Sequence, residues 1–437
     1  MAWKKIKISS FLTERESRIK PTEANRIGLK RLNKIDFSGE IHLTNKPTNT
    51  DMILIKRGDL VISGINVEKG AVAVYQGDED IIATIHYSAY VFDETKIDIE
   101  YFKTFLKSQA FKEVINSQTR SGIKTELKAK HFLPLEINLP DLENQIRIKD
   151  KINLASRKIS DLDKINNKNS QYIKNLRQQI LQEAVQGKLV KQDPKDEPAS
   201  ILLKKIKAEK EKLIKEGKIK KQKPLPTIEE DEVPYDLPKG WEWIYFIDLL
   251  NFRIGKTPTR GDPKYWNNGI FPWVSIRDMT HKEKVINTRE KISSLAAKEV
   301  FKNPISPKGT ILMSFKLTLG KLSILDTDAY HNEAIISIFP YLEETKKYLW
   351  HFLPIILKIQ KSKKDVLMGQ TMNSTSLSRI VFPLPPLPEQ ARIVEKVDKL
   401  MAYCDELEKQ VKENQQNSEK LMGAVLKESF IGHNDHT

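Results

Sequence analysis

One stretch of this chain occurs twice, 245 positions apart. Residues 139–187 align with 384–432 without a gap, with 15 identities in 49 positions. Each copy opens on a related entry: Leu139-Pro140-Asp141-Leu142-Glu143-Asn144-Gln145 and Leu384-Pro385-Pro386-Leu387-Pro388-Glu389-Gln390. A strand-like region of similar size precedes each copy. The chain therefore reads as a tandem of globular unit plus long helix, and a single polypeptide with such internal two-fold symmetry is suited to a two-part target.

Inside the repeat the apolar spacing is helical. Ile148, Ile152, Ala155, Ile159, Leu162, Asn166, Asn169, Ile173, Leu176 and Ile180 follow one another at intervals of four and three. The second copy keeps the register with Ile393, Val397, Leu400, Cys404, Leu407, Val411, Asn414, Ser418, Leu421 and Val425. That spacing predicts a coiled-coil seam. Asn169 and Asn414 are equivalent seam positions, where a buried polar residue fixes register at some cost in stability. Helices of ~45 residues span roughly 65–70 Å.

The globular regions are weaker copies of each other. Runs at 71–75, 81–85 and 90–92 read as strands, and 99–117 reads as a helix with Tyr101, Phe102, Phe105 and Leu106 inward. Lys308-Gly309-Thr310-Ile311-Leu312 echoes Arg57-Gly58-Asp59-Leu60-Val61, 335–339 echoes 87–91, and Trp241-x-x-Ile244 echoes Trp3-x-x-Ile6. Between the copies, prolines 194 and 198 end the first long helix. A Lys-rich helix follows near 200–216 and stops at Gly217, and Pro224, Pro226, Pro234 and Pro238 mark extended chain. The expected architecture is α+β, with two strand-rich α/β domains and two long helices in a coiled coil with internal pseudo-two-fold symmetry. The boundaries are 1–141 (first domain), 142–190 (first helix), 191–237 (Lys/Pro-rich linker), 238–386 (second domain) and 387–432 (second helix).

Catalytic signatures are missing. Gly255-Lys256-Thr257 ends like a phosphate loop, but Leu250 stands where that loop needs glycine. No G-x-G-x-x-G opens a helix, no Asn/Asp-Pro-Pro-aromatic segment occurs, and the eight histidines show no metal-ligand spacing. The single cysteine, Cys404, sits on the apolar seam, so no internal disulfide is possible. No apolar run has the length of a signal peptide or a bilayer span, and the expectation is a soluble, cytoplasmic, non-catalytic chain.

A net charge of +15 favours an acidic polymer as partner. The candidate DNA contacts in the second domain are Lys256, Thr257, Arg260, Trp266, Asn267, Ser275, Arg277, Lys316, Thr318, Gln370, Thr371 and Asn373. Lysine and arginine neutralise phosphates, while arginine and asparagine read guanine and adenine edges. The first domain offers Arg57, Ser63, Lys69, His86, Tyr87, Arg120 and Lys124. The competing readings are that Trp266 and Trp273 are core, that Arg277 pairs with Asp278, and that the first-domain residues are ordinary surface.

The Leu-Pro-x-Leu-x-x-Gln entry, together with Leu237-Pro238-Lys239-Gly240-Trp241-Glu242-Trp243, Lys308-Gly309-Thr310-Ile311-Leu312 and Gly369-Gln370-Thr371, resembles the specificity subunit of type I restriction–modification systems. In the first copy Asp141 and Glu143 depart from the pattern, where the second has prolines. The resemblance implies two target-recognition domains, each reading half of a split DNA site, separated by the two long helices, which pack as an antiparallel coiled coil and hold them apart. It implies two methyltransferase subunits docked on the helices and two restriction subunits beside them, with no membrane. S-adenosylmethionine, ATP and Mg²⁺ then belong to those partners, and this chain holds no cofactor or metal. A methyltransferase-only complex, or a coiled-coil scaffold with incidental charge, are the alternatives.

Overall fold

The computed structural model describes residues 3–47, 49–118, 127–316, 318–363 and 373–430. Four of the candidates, Arg120, Lys124, Gln370 and Thr371, lie outside the described residues. The chain forms two compact units, Met1–Asn169 with Gln410–Thr437, and Ser170–Lys409.

In the first unit an antiparallel sheet runs in the order Leu12–Glu14, Tyr87–Phe92, Leu60–Ser63, Val72–Val74. These strands alternate or run fully apolar, so one face buries against helices Ile99–Leu106 and Gln109–Gln118. Phe102, Phe111 and Phe132 make an aromatic centre with Tyr90, at ring spacings of 5.5–6.4 Å. The expected helix over 99–117 is broken at Ser108. Its hydroxyl donates to the Phe105 carbonyl and accepts from the Phe111 N–H, local bonds that compete with a continuous helix. A second sheet runs in the order Arg18–Ile19, Met52–Ile55, Ile81–Ala83, Arg31–Ile35, Ile41–Thr44, and of its strands only the run at 81–85 was read from the sequence.

The second unit keeps the same frame. Its main sheet runs Leu250–Ile254, Ile335–Pro340, Ile311–Ser314, Leu322–Leu325, Glu283–Val285. Ser314 pairs with Ile335 and Ile311 with Ile338, as Ser63 pairs with Tyr87 and Leu60 with Tyr90. The turn before the central strand has a left-handed glycine in both, Gly58 and Gly309, at φ 86° and 84°. The companion sheet is smaller: Glu290–Ile292, Phe271–Val274, Tyr330–His331.

Each unit feeds a long helix, Leu142–Val185 or Leu387–Phe430, 44 residues each. The strand entering it pairs with the strand that opens the unit: Lys4–Lys7 with Glu136–Leu139, and Glu242–Tyr245 with Val381–Leu384. The repeated glutamine locks this entry. Gln145 is fully buried, accepts from the Asp98 N–H at 2.8 Å and donates to the Lys96 and Pro140 carbonyls. Gln390 donates in the same way to Pro385 at 3.0 Å. A buried amide is costly unless bonded, so the motif ties helix to sheet.

The helices pair in both units. In the first, Ile148 and Ile152 share a core with Val425, Leu426 and Phe430. In the second, Arg177 reaches Asp405 and Glu408, while Trp241, beside Gly187, donates to Glu389 at 2.9 Å. Higher numbers on one helix meet lower numbers on the other, so within this unit they run antiparallel.

The predicted seam holds for one of its two rows. Ile152, Ile159, Asn166, Ile173 and Ile180 are buried, as are Val397, Cys404, Val411 and Ser418, with Val425 half-buried. In the other row only Ile393 is buried, and Ile148, Ala155 and Leu400 are half-covered. Leu162, Asn169, Leu176, Leu407, Asn414 and Leu421 are exposed. The placing of Asn169 and Asn414 in a buried seam is therefore corrected, and the buried seam asparagine is Asn166. Two helices without a third neighbour cover a narrow central stripe, and the flanking row stays in solvent. The linker helix, Ala199–Lys215, buries Leu202 and Ile206 and ends at left-handed Gly217. Among the described residues no helix is long and apolar enough to cross a membrane.

Candidate nucleic-acid interface

In the second unit a concavity of about 540 Å³ opens beside the small sheet. It is lined by Arg260, Ser275, Arg277, Arg289, Asn332 and Glu333 among others. The chain reaches it from strand Leu250–Ile254 through Gly255. A Cβ there would lie 2.0 Å from the His331 carbonyl oxygen, so only glycine passes. Lys256 N–H then donates to that carbonyl at 2.9 Å. His331 is buried, which pushes its pKa down to about 4, and it is a neutral structural ring at neutral pH.

The Arg260 guanidinium sits against two indoles, its carbon 4.2 Å from the Trp266 ring centre and 4.7 Å from the Trp273 ring centre, and pairs with Glu290. The two tryptophans meet edge to face at 5.2 Å. Trp273 is buried and donates to the Lys256 carbonyl at 3.0 Å, and half-buried Trp266 donates to Thr259 at 3.1 Å. Trp273 is core, and Trp266 props the arginine.

Arg277 does not pair with Asp278. The Asp278 carboxylate instead accepts from the Ser275 N–H and hydroxyl, at 2.8 and 2.7 Å, and from the Arg289 N–H at 3.1 Å. This capping box rigidifies the turn Ile276–Asp278 and leaves the exposed Arg277 guanidinium without a partner among the described residues. A fixed turn presenting a free guanidinium fits bidentate recognition of a base or phosphate.

The structure thus joins Arg260, Ser275 and Arg277 and adds Arg289, Asn332 and Glu333. The signal for those three was the interruption of apolar strands by Asn287-Thr288-Arg289 and His331-Asn332-Glu333. Thr257 sits on the rim, donating to Glu333. Lys256 lies in a separate basic hollow of about 240 Å³ with Lys220, Arg253 and Lys302, a charge set suited to phosphate. Thr318 lines a third hollow with His281 and Lys321, whose ammonium donates to the Ile276 carbonyl at 3.2 Å. Lys316 stands at the base of that loop, 5.7 Å from the Phe315 ring. Asn267 is exposed beyond helix Pro263–Trp266. Asn373 is exposed, and its side-chain oxygen caps helix Ser374–Ser378, accepting from the Ser376 N–H at 2.9 Å.

In the first unit Ser63, His86 and Tyr87 meet at one strand end. Ser63 pairs with Tyr87, and Gly64 N–H donates to the His86 carbonyl at 2.9 Å. Ser63 itself is buried, unlike its neighbour His86. Tyr87 is half-buried and bonds the Ile35 backbone. Exposed Lys69 stands 5.8 Å from the Phe37 ring. Arg57 lies at the opposite end of strand Leu60–Ser63, paired with Asp78, and does not join the group.

Residues 238–415 match the family described as the type I restriction modification DNA specificity domain. The chain is similar to the type I restriction enzyme EcoEI specificity subunit of Escherichia coli, 38% identical over 254 residues, covering 54% of this chain and 41% of that one. It is also similar to the EcoAI specificity subunit of Escherichia coli, 36% identical over 272 residues, covering 58% and 44%. The chain thus spans less than half the length of these relatives. In fold it is similar to the HsdS subunit from Thermoanaerobacter tengcongensis, with a TM-score of 0.61, 16% identity, and 98% of this chain and 97% of that chain covered.

Proposed function

We propose that this chain is the DNA sequence-reading subunit of a type I restriction–modification complex. The observation that carries this reading is the hollow ringed by Arg260, Arg277 and Arg289, with Ser275 and Asn332, inside the stretch that matches the DNA specificity domain. Guanidinium and amide groups on stiff turns are what base-edge readout requires. The nearby lysines supply sequence-independent attraction that weakens with salt.

In this reading each unit takes one half of a split, asymmetric target. The shared frame supports a common docking geometry, and the different companion sheets support different half-sites. The paired helices, each about 66 Å long, act as the spacer between half-sites about one turn of B-DNA, or roughly 34 Å, apart. The exposed leucines of the second seam row occur in equivalent pairs, Leu162 with Leu421 in the first unit and Leu176 with Leu407 in the second. That duplication supports docking of two methyltransferase subunits, with two restriction subunits joining them. S-adenosylmethionine, ATP and Mg²⁺ then serve the partners, and this chain carries no cofactor.

Methylome sequencing of a host expressing this chain with its methyltransferase tests the reading. A split motif with a fixed gap is expected, and an uninterrupted motif or none contradicts it. A four-residue insertion in both helices is expected to change the gap and leave the half-sites intact.

A further inference from the structure

The two units carry opposite chemistry at one equivalent place. Beyond the paired ends of the central strands, Gly64 N–H donates to His86 at 2.9 Å, and Phe315 N–H donates to Ala334 at 3.0 Å. The next residue outward on each side is Ile65 and Ile85 in the first unit, and Lys316 and Glu333 in the second. The isoleucines are 61% and 54% exposed, which puts two β-branched apolar side chains in water at the tip of a strand pair. Lys69, four residues from Ile65 in the chain, is exposed. In the second unit the equivalent Glu333 lines the arginine hollow itself.

We propose that Ile65 and Ile85 are specificity-determining residues that read thymine through its 5-methyl group in the major groove. This rests on the DNA-reading function above and gives the first unit its ligand chemistry. The thymine methyl is the one apolar feature of the major-groove edges, and aliphatic side chains recognise it by contact. Scattered exposed apolar residues are ordinary. This pair occupies the position at which the other unit places charged groups on its reading surface. The first half-site is therefore thymine-bearing at the bases facing this tip, and the second is read there through charge.

The test uses the full chain assembled with its methyltransferase subunits and a duplex carrying the split motif. Deoxyuridine replaces thymine in one half-site at a time, removing the methyl and nothing else. Burying one methyl is worth about 0.8 kcal/mol, so affinity falls about fourfold per thymine contacted. The expected result is a loss confined to one half-site, and no thymine–uracil difference in Ile65→Ala/Ile85→Ala. An unfolding midpoint in urea matching that of the unsubstituted chain, with retained preference at the remaining bases of the first half-site, shows that the first unit of this variant is folded. Uracil tolerated in both halves, or a penalty unchanged in the variant, overturns the proposal and leaves the wider function intact. A chain that yields no split motif overturns both.

Discussion

The turn that enters the central strand is built in both units on the same backbone and closed with different side chains. Tyr75 N–H donates to the Asp59 carbonyl at 2.9 Å, and Leu325 N–H donates to the Thr310 carbonyl at 3.0 Å. In the first unit the buried Asp59 carboxylate takes both arms of Arg15, at 2.6 and 2.7 Å, and the Lys56 N–H at 2.8 Å. In the second the position is a buried threonine, and Lys308 N–H donates to Asp328 instead. Main-chain bonding therefore maintains the frame, while side chains change around it. That freedom lets two copies of one fold acquire different reading faces.

The largest expected effect tests this difference directly. Asp59→Ala strips a partner from a part-buried guanidinium and costs about 3 kcal/mol, whereas Thr310→Ala costs about 1 kcal/mol, both measured by urea unfolding. Equal losses would mean that the side-chain closure is not what distinguishes the two turns. Next, Arg277→Ala removes a free guanidinium and weakens binding by about 2 kcal/mol with relaxed choice at one base pair. A gel shift against each half-site reads this, and the half read by the first unit is expected to be unchanged. Asn166→Val gives the first helix the residue type found at Val411 and stabilises the pair by about 1 kcal/mol, seen as a higher Tm.

The smallest effect is a pH dependence peculiar to the first unit. Burial opposes ionisation of Asp98, but the Lys149 ammonium at 2.7 Å and the Tyr101 N–H outweigh it, so its carboxyl titrates below the ordinary aspartate range. A depressed carboxyl stabilises fully above the unfolded pKa of about 3.9, and the contribution is lost as pH falls through the lower folded value. Asp98→Asn is expected to flatten the acid limb of stability below about pH 4. The repeat places Val394 where the first unit has Lys149, so substitution there, Val394→Ala, leaves the acid limb alone.

The long helices and the shared central strands were legible because their signals are local and repeated. Seam spacing, the Leu-Pro-x-Leu-x-x-Gln entry and the glycine turns all recur at fixed offsets. The small sheets were not legible. Strands such as Arg18–Ile19 and Tyr330–His331 have two residues, too few to show a period, and take their shape from neighbours distant in sequence. At the candidate site Arg260 and Arg277 were visible as basic residues in turns. Which acid each one uses was not, because Glu290 pairs with Arg260 across 30 residues and Asp278 turns away from its neighbour. Composition shows that charges are present, and only tertiary structure shows which are already neutralised.

Phe430, in the last turn of the second long helix, packs at a steep ring angle against Tyr101 and Phe105 at about 5.5 Å, so the first unit's core is completed by a side chain more than 320 positions downstream. During synthesis this unit emerges first and closes last. Nascent chains interrupted within that helix leave the ribosome with an open aromatic wall. A stop codon shortly before Phe430 thus disables a unit whose sheets were made about 300 residues earlier.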